Sequence, residues 1–179
     1  RNIFFKYGIY AAFLILVVVL ALTSPSFLTL QNILNVLRQS SIIGIIAIGM
    51  TFVIIKGGID LSVGSILGFS AVVATSFAHP GEYPVIAPII MGLLVGVACG
   101  LVNGFVIAKW NIAPFIVTLG MLTAARGMTL VYTDGKPIIN LSDAYNFIGS
   151  GHFLGLPIPV IVFILVILIG VFLLNFTKF

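Results

Sequence analysis

Charged side chains are scarce in this sequence. Asp, Glu, Lys and Arg make up 7% of its 179 residues, whereas hydrophobic residues make up 61%. Soluble domains carry roughly 25% charged residues, so this composition excludes a soluble globular domain. Disorder is excluded too, because disordered chains are poor in hydrophobic residues. The mean hydropathy of +1.32 therefore indicates an integral membrane protein.

Cysteine and histidine are nearly absent as well. The single cysteine, Cys99, lies in an apolar run, and the two histidines, His79 and His152, have no acidic cluster beside them. The sequence thus has no disulfide framework and no metal-binding, catalytic or phosphate-loop motif. Its Lys and Arg residues are scattered rather than clustered. We predict no catalytic residue, no metal, no cofactor and no nucleic-acid partner for this chain.

Long apolar runs are what the sequence has in abundance. A helix needs roughly 20 mostly apolar residues to cross a bilayer, and about 17 to 25 are tolerated. The runs are continuously apolar rather than alternating, which predicts helices and not barrel strands. We predict six transmembrane helices, at residues 7–22, 41–55, 61–77, 85–108, 114–131 and 157–174. The first run loosely resembles a signal peptide, but the spans that follow it favour a membrane anchor.

Residues 27–37 have a different pattern. Phe27, Leu30, Ile33 and Leu37 recur at helical spacing, with polar residues between them. This predicts a short amphipathic helix at the membrane surface after the first span. The alternative is a polar-tipped extension of the second span.

The basic residues predict the orientation of the chain, because Lys and Arg are enriched in cytoplasmic loops. An N-terminus in the cytoplasm places five basic residues on that side: Arg1, Lys6, Lys56, Lys109 and Lys178. The outer side then holds two basic and three acidic residues: Arg38, Lys136, Glu82, Asp134 and Asp143. The count favours a multi-pass protein with a cytoplasmic N-terminus.

The segment from Gly57 to Gly64 is the most unusual part of the chain. It joins two short apolar runs through Gly57, Gly58, Asp60 and Ser62. Glycine-interrupted hydrophobic segments are the best sequence indication of a transporter's working site. The alternative is an ordinary turn in which Asp60 or Ser62 caps the helix that follows.

Glycine recurs at every fourth position along the fourth span, at Gly92, Gly96, Gly100 and Gly104. Small residues at this spacing form a groove on one face of a helix and let another backbone approach closely. We predict that this face packs against another helix.

The fifth span contains an arginine and several threonines. Arginine at the centre of a membrane helix costs about 2.5–3.5 kcal/mol even on insertion scales, so Arg126 should face protein or water. The alternative is that the span ends near Ala125 and the guanidinium reaches the interface. Thr118 is a milder polar residue on the same span.

The segment at residues 133–155 is polar and falls on the predicted outer side. Its charged residues Asp134, Lys136 and Asp143 are candidates for a docking surface or a short gating helix. An ordinary connecting loop is the alternative.

Several of these segments together resemble one known family. Residues 49–65 read GMTFVIIKGGIDLSVGS, residues 114–120 read PFIVTLG, and residues 126–128 read RGM. Residues 32–37 and 131–137 fit the same pattern. The chain resembles the permease subunits of bacterial ABC importers for monosaccharides, the ribose type most closely, within the superfamily of branched-chain amino acid and sugar permeases.

The resemblance implies an all-α permease of the type II importer kind in the inner membrane. It implies a second permease copy, a cytoplasmic ATPase that binds the ATP, and a periplasmic sugar-binding protein. The GGIDLSVGS segment would then lie near the sugar path, and the outer segment around Asp134 to Pro137 near the gate or the docking surface, without any one side chain being assigned to sugar binding. Our candidates for the path or gate are Gly57, Gly58, Asp60, Ser62, Thr118 and Arg126. Transport would proceed by alternating access, without covalent chemistry in this chain.

Family members continue past the sixth span into a segment that contacts the ATPase. We therefore expect this chain to be the N-terminal portion of a longer permease. Two alternatives remain open at this point. One is a permease for another small solute, such as an amino acid, a nucleoside or a furanose; the other is a passive channel or a structural membrane subunit.

Overall fold

The computed structural model describes the backbone of residues 3–177 and the side chains of residues 7–177. Over that range the chain is helical apart from its loops and one short hairpin. The helices are α1 (Ile3–Thr23), α2 (Leu30–Ile55), α3 (Val63–Ser76), α4 (Ile86–Trp110), α5 (Pro114–Thr133), α6 (Asp143–Ser150) and α7 (Ile158–Phe176). The strands are β1 (His152–Phe153) and β2 (Leu156–Pro157).

Each of the six predicted apolar runs lies on a helix, so the all-α architecture is confirmed over the described residues. Four of these helices, α2, α4, α5 and α7, are long and apolar enough to cross a membrane. The other two apolar helices, Tyr7–Thr23 within α1 and Val63–Ser76, are shorter. At 1.5 Å per residue α3 is about 21 Å long, which is less than the roughly 30 Å of a bilayer core.

The structure does not contain the separate surface helix predicted at residues 27–37. Thr29 caps α2 by accepting a hydrogen bond from the Asn32 N–H at 3.3 Å, and the helix then runs unbroken to Ile55. Residues 38–41 contain no proline or glycine to interrupt it, and the Ser41 hydroxyl bonds back to the Leu37 carbonyl at 2.7 Å. The prediction of a distinct helix is therefore wrong, and the segment is the polar-tipped start of α2.

The helices pack in two groups. One group is α3 with α4 and α5, and the other is α2 with α7, which α6 and the hairpin also contact. The α2–α7 contact is close because both helices carry a glycine there: a Cβ at Gly44 would overlap the Phe163 ring, and one at Gly170 would lie 3.1 Å from Ile48 Cγ2. Small residues thus bring the two backbones together.

The loops meet at two opposite ends of the molecule. At one end, the non-helical segment between α2 and α3, residues 56–62, lies against the start of α5, since Gly58 approaches Pro114. We call this segment the break. At the other end, Ser142 N–H donates to the Ala78 carbonyl at 2.7 Å, and His79 Nδ1 lies 3.1 Å from the Asn140 carbonyl. Arg38 on α2 also donates to the Ser150 carbonyl of α6 at 3.1 Å at this second end.

The hairpin β1–β2 lies between α6 and α7. Its strands are antiparallel, with His152 opposite Pro157 and Phe153 opposite Leu156. The turn residues Leu154 and Gly155 have φ of 52° and 81°, as a two-residue turn of type I′ requires.

Few large apolar side chains are buried in the described chain. Its buried hydrophobic residues are mostly small: Val73, Ala74, Ala78, Cys99 and Ala125. Long apolar side chains on every long helix point outward instead. An apolar exterior of this extent suits lipid or further protein and not water.

We predict that Gly44→Val destabilises the protein, because the added carbons overlap the Phe163 ring. Overpacking of this kind costs about 1–3 kcal/mol. The thermal midpoint in mild detergent should fall, and Phe163→Ala in the same chain should restore part of it. The matched control is Gly49→Val, at a position with open space. Equal midpoints for the two glycine variants would contradict the close α2–α7 contact.

Candidate functional site at the break between helices α2 and α3

Two glycines allow the chain to leave α2. Gly57 has φ of +75°, a left-handed conformation that glycine adopts without strain, and its N–H donates to the Ile54 carbonyl. Gly58 N–H donates to the Val53 carbonyl at 3.0 Å. A Cβ at Gly58 would lie 3.2 Å from Val53 Cγ1, so a larger residue fits poorly there. The two glycines therefore end α2, and the space around Gly58 is too small for a larger side chain.

Asp60 holds the start of α3. One oxygen of its half-buried carboxylate, Oδ1, accepts a hydrogen bond from Ser62 N–H at 2.7 Å and another from the Ser62 hydroxyl at 2.5 Å. Ser62 is fully buried and stands at the N-terminus of α3, where a negative charge is favourable. Asp60 thus orders the N-terminal end of α3 through Ser62.

Thr118 of α5 fastens the non-helical backbone between the two helices. Its Oγ1 lies 3.2 Å from the Leu61 N–H, which donates to it, and 3.2 Å from the Ile59 carbonyl. The same hydroxyl lies 2.9 Å from the Pro114 carbonyl of its own helix. Thr118 is 2% exposed, so its hydroxyl is shielded from water and is left to bond these backbone groups.

Asn103 of α4 closes the cluster from the third side. Its Nδ2 donates to Ser62 Oγ at 3.2 Å, and the residue is 5% exposed. Its Oδ1 is buried and has no partner among the described residues. The network Asp60–Ser62–Asn103 therefore ties the break to α4, while Thr118 ties it to α5.

Arg126 lies apart from this cluster, on the exposed surface of α5. The helix continues seven residues beyond it to Thr133, a rise of about 10 Å, so the helix itself does not end near Ala125, and the position of the membrane boundary along α5 stays a prediction. Within the described part of the chain the guanidinium makes no hydrogen bond or ion pair, whereas its neighbour Ala125 is fully buried.

The four glycines of α4 have unequal surroundings. A Cβ at Gly92 would lie 3.2 Å from the Cβ of Ala74, and one at Gly96 would lie 3.7 Å from Ser70 Oγ, so these two face α3. Gly100 and Gly104 have nothing within 4 Å of that position in the described chain.

The charged residues of the segment after α5 are exposed. Lys136 Nζ and Asp134 Oδ2 form an ion pair at 2.8 Å with both side chains largely in the open. Asp143 stands in the first turn of α6, behind the Ser142 cap. An exposed pair of this kind adds little to stability. The segment thus contains a short helix, α6, in place of the ordinary loop that the sequence also allowed.

The cluster around the break arranges hydrogen bonds and contains no reactive group positioned for catalysis. The described residues also contain no group of three His, Cys, Asp or Glu side chains able to hold a metal. Sequence reasoning pointed to Gly57, Gly58, Asp60, Ser62 and Thr118, which the structure brings together. Asn103 is a further polar residue in an apolar span, for which the sequence predicts local hydrogen bonds, and the structure identifies Ser62 as its partner.

We predict that Thr118→Val destabilises the protein, because Leu61 N–H loses its acceptor in the cluster that joins the break to α5. An unsatisfied buried donor costs about 1–3 kcal/mol. Thr118→Ser keeps the hydroxyl and should stay close to the wild type in thermal midpoint. Thr123→Val serves as control, since that hydroxyl bonds only within α5, to the Gly120 carbonyl. A Thr118→Val protein as stable as the Thr123→Val protein would show that the hydrogen bond is dispensable.

Comparison with known proteins gives a family and several relatives. Residues 32–179 match the model of the family described as branched-chain amino acid transport system / permease component. The ribose import permease protein of Bacillus subtilis (strain 168) is 49% identical over 176 residues, which are 97% of this chain and 54% of that protein. The ribose import permease protein of Escherichia coli (strain K12) is 38% identical over 171 residues, 93% of this chain and 53% of that protein.

A third relative is named for another sugar. The L-arabinose ABC transporter permease protein of Azospirillum brasilense is 40% identical over 153 residues, 86% of this chain and 45% of that protein. No solved structure gives a significant match. The chain spans about half the length of the curated relatives it matches. The family model covers residues 32–179, which include the break motif. The chain therefore belongs to the family of permease components of branched-chain amino acid transport systems.

Proposed function

We propose that this chain is part of the membrane permease of an ATP-driven importer for a monosaccharide such as ribose. The observation that carries the proposal is the 49% identity to the ribose import permease protein of Bacillus subtilis over 97% of the chain. The relatives from Haemophilus influenzae and Escherichia coli that are named for ribose support the same solute. The chain would act as a transport subunit and not as an enzyme.

The permease would work by alternating access between the two sides of the inner membrane. A second copy would complete the path, a cytoplasmic ATPase would supply the energy, and a periplasmic binding protein would deliver the sugar. The break at residues 56–62 supports such a role, because its non-helical backbone is held by side chains of the protein, as irregular backbone in membrane proteins generally is. Broken helices are also the usual place of a transporter's substrate site.

Two charged residues of this chain, Asp60 and Arg126, are candidates for lining the sugar path. Asp60 is half-buried, and its Oδ2 makes no hydrogen bond within the described residues. Arg126 is exposed on a helix of membrane-spanning length without a partner in the described chain. A charge in that position calls for water or an opposite charge. We assign Arg126 to the wall of the water-filled path, where its N–H groups would donate to sugar hydroxyls.

The proposal includes six spans and a cytoplasmic N-terminus. Lys56 and Lys109 support this orientation, because they precede the two loops that lie together at the break end of the molecule. Lys109 is also anchored in an aromatic cluster, with Nζ 5.0 Å from the Phe105 ring centroid and 5.7 Å from that of Trp110. Tryptophan and lysine together are typical of a membrane interface.

We predict opposite labelling of the two ends of α5 in a Cys99→Ser background. Ile112→Cys lies in the α4–α5 loop, and Ile139→Cys lies beyond α5. An impermeant maleimide added outside intact spheroplasts should label position 139, and should label position 112 only after permeabilisation. The reverse pattern would place the N-terminus outside. Labelling of both positions in intact cells would contradict a spanning α5.

We predict ATP-dependent sugar uptake by the natural gene product that contains this chain. Purified with its ATPase and placed in proteoliposomes, it should take up radiolabelled ribose only when ATP and the sugar-loaded binding protein are both present. An ATPase subunit with its phosphate-loop lysine replaced is the control and should give no uptake. Uptake of another solute alone would support the amino acid, nucleoside or furanose alternative. Uptake without ATP would indicate a passive channel.

A further inference from the structure

An apolar groove lies between the two groups of helices. It measures about 930 Å³ and is lined by α3 and α4, by Ile46 of α2 and by one face of α6. Its polar side chains are Ser70 on α3 and those that α6 contributes, among them Tyr145 and Asn146. We call this cavity the α3–α4 groove.

Small side chains form the floor of the α3–α4 groove. Ser70 and Ala74 of α3 face Gly92 and Gly96 of α4, and all four line the cavity. The two backbones are close enough that a Cβ at Gly92 would lie 3.2 Å from the Cβ of Ala74. A floor of glycine, alanine and serine admits a third backbone at short range, which is how helices pack in membranes.

The chemistry of the groove does not suit a sugar. A monosaccharide presents hydroxyl groups that need hydrogen-bond partners, and burying them unpaired costs several kcal/mol. The walls above the floor are mainly isoleucine, leucine and valine, including Ile66, Leu67, Leu93 and Val97. An apolar occupant matches this lining, while a sugar path needs the polar residues that lie elsewhere in the chain.

The size of the groove corresponds to a short stretch of helix. A helix 10–12 Å across with a pitch of 5.4 Å fills about 1,000 Å³ in two turns. The relatives are nearly twice as long as the stretch that matches this chain, which is their N-terminal portion. Further chain is therefore present in these permeases beyond the matched residues.

We propose that an apolar helix from the C-terminal half of the permease packs in the α3–α4 groove, between the α2–α7 group and the α3–α5 group. Ser70, Ala74, Gly92 and Gly96 are its contact surface, and Ile46 and α6 flank it. This packing would make the second half of the permease a structural part of the first. The inference rests on family membership and not on the identity of the solute.

Site-specific photo-crosslinking in the natural full-length product tests the proposal. A diazirine-bearing residue at Leu93, which lines the groove, is compared with the same residue at Leu94. Leu94 is the next position on α4, does not line the groove and is similarly exposed, 55% against 65% for Leu93. After illumination, mass spectrometry identifies what each position has captured.

The expected result at position 93 is a crosslink within one polypeptide, to an apolar peptide beyond residue 179, with no doubling of mass on a denaturing gel. Position 94 should give at least several-fold less of that product. Capture of a second copy, of lipid alone, or only of peptides within residues 1–179 would overturn the proposal. The same holds if both positions capture the same peptides equally. The measurement needs no sugar uptake, so its failure is distinguishable from a failure of the proposed transport activity.

Discussion

The break between α2 and α3 depends on hydrogen-bond partners for backbone that has left the helical conformation. The last turn of α2 supplies carbonyl acceptors for Gly57 and Gly58 N–H, whereas the residues that follow need partners outside that helix. Thr118 supplies them for Leu61 and Ile59, and Asp60 supplies them for Ser62. Because Asn103 also bonds Ser62, the break, α4 and α5 are joined into one polar cluster surrounded by apolar helices.

The same cluster explains how a helix as short as α3 keeps its place. α3 has 14 residues, packs against both α4 and α5, and begins where Asp60 and Ser62 hold its first turn. At its far end, Ala78 accepts the Ser142 N–H, which links the α3–α4 loop to the segment before α6. The α3–α5 group is thus fastened to the rest of the chain at both ends, with the α3–α4 groove between. This division into two groups suits a permease that alternates between two states, as proposed.

The positions of most long helices were predictable from the sequence, because a helix of membrane-spanning length shows as a run of apolar residues and hydropathy depends on residue type alone. The predicted spans at 85–108, 114–131 and 157–174 differ by only a few residues from the helices α4, α5 and α7. The prediction at residues 27–37 failed because an amphipathic pattern shows which face of a helix is apolar and does not show where the helix ends. Only the absence of a breaker at residues 38–41, together with the Thr29 cap, makes α2 one continuous helix.

Composition and a specific local motif are enough to identify the membrane class, the helical architecture, the break after α2 and the family. Which helices touch follows from the packing of the whole chain and could not be read from those patterns. That packing paired Gly44 with Phe163 and Gly170 with Ile48, which no glycine spacing had indicated, and it turned Gly92 and Gly96 toward α3 but not Gly100 and Gly104. The packing also makes Asn103 and Thr118 the hydrogen-bond partners of the break. A periodic pattern defines a face of one helix, whereas the neighbour of that face depends on how the whole chain packs.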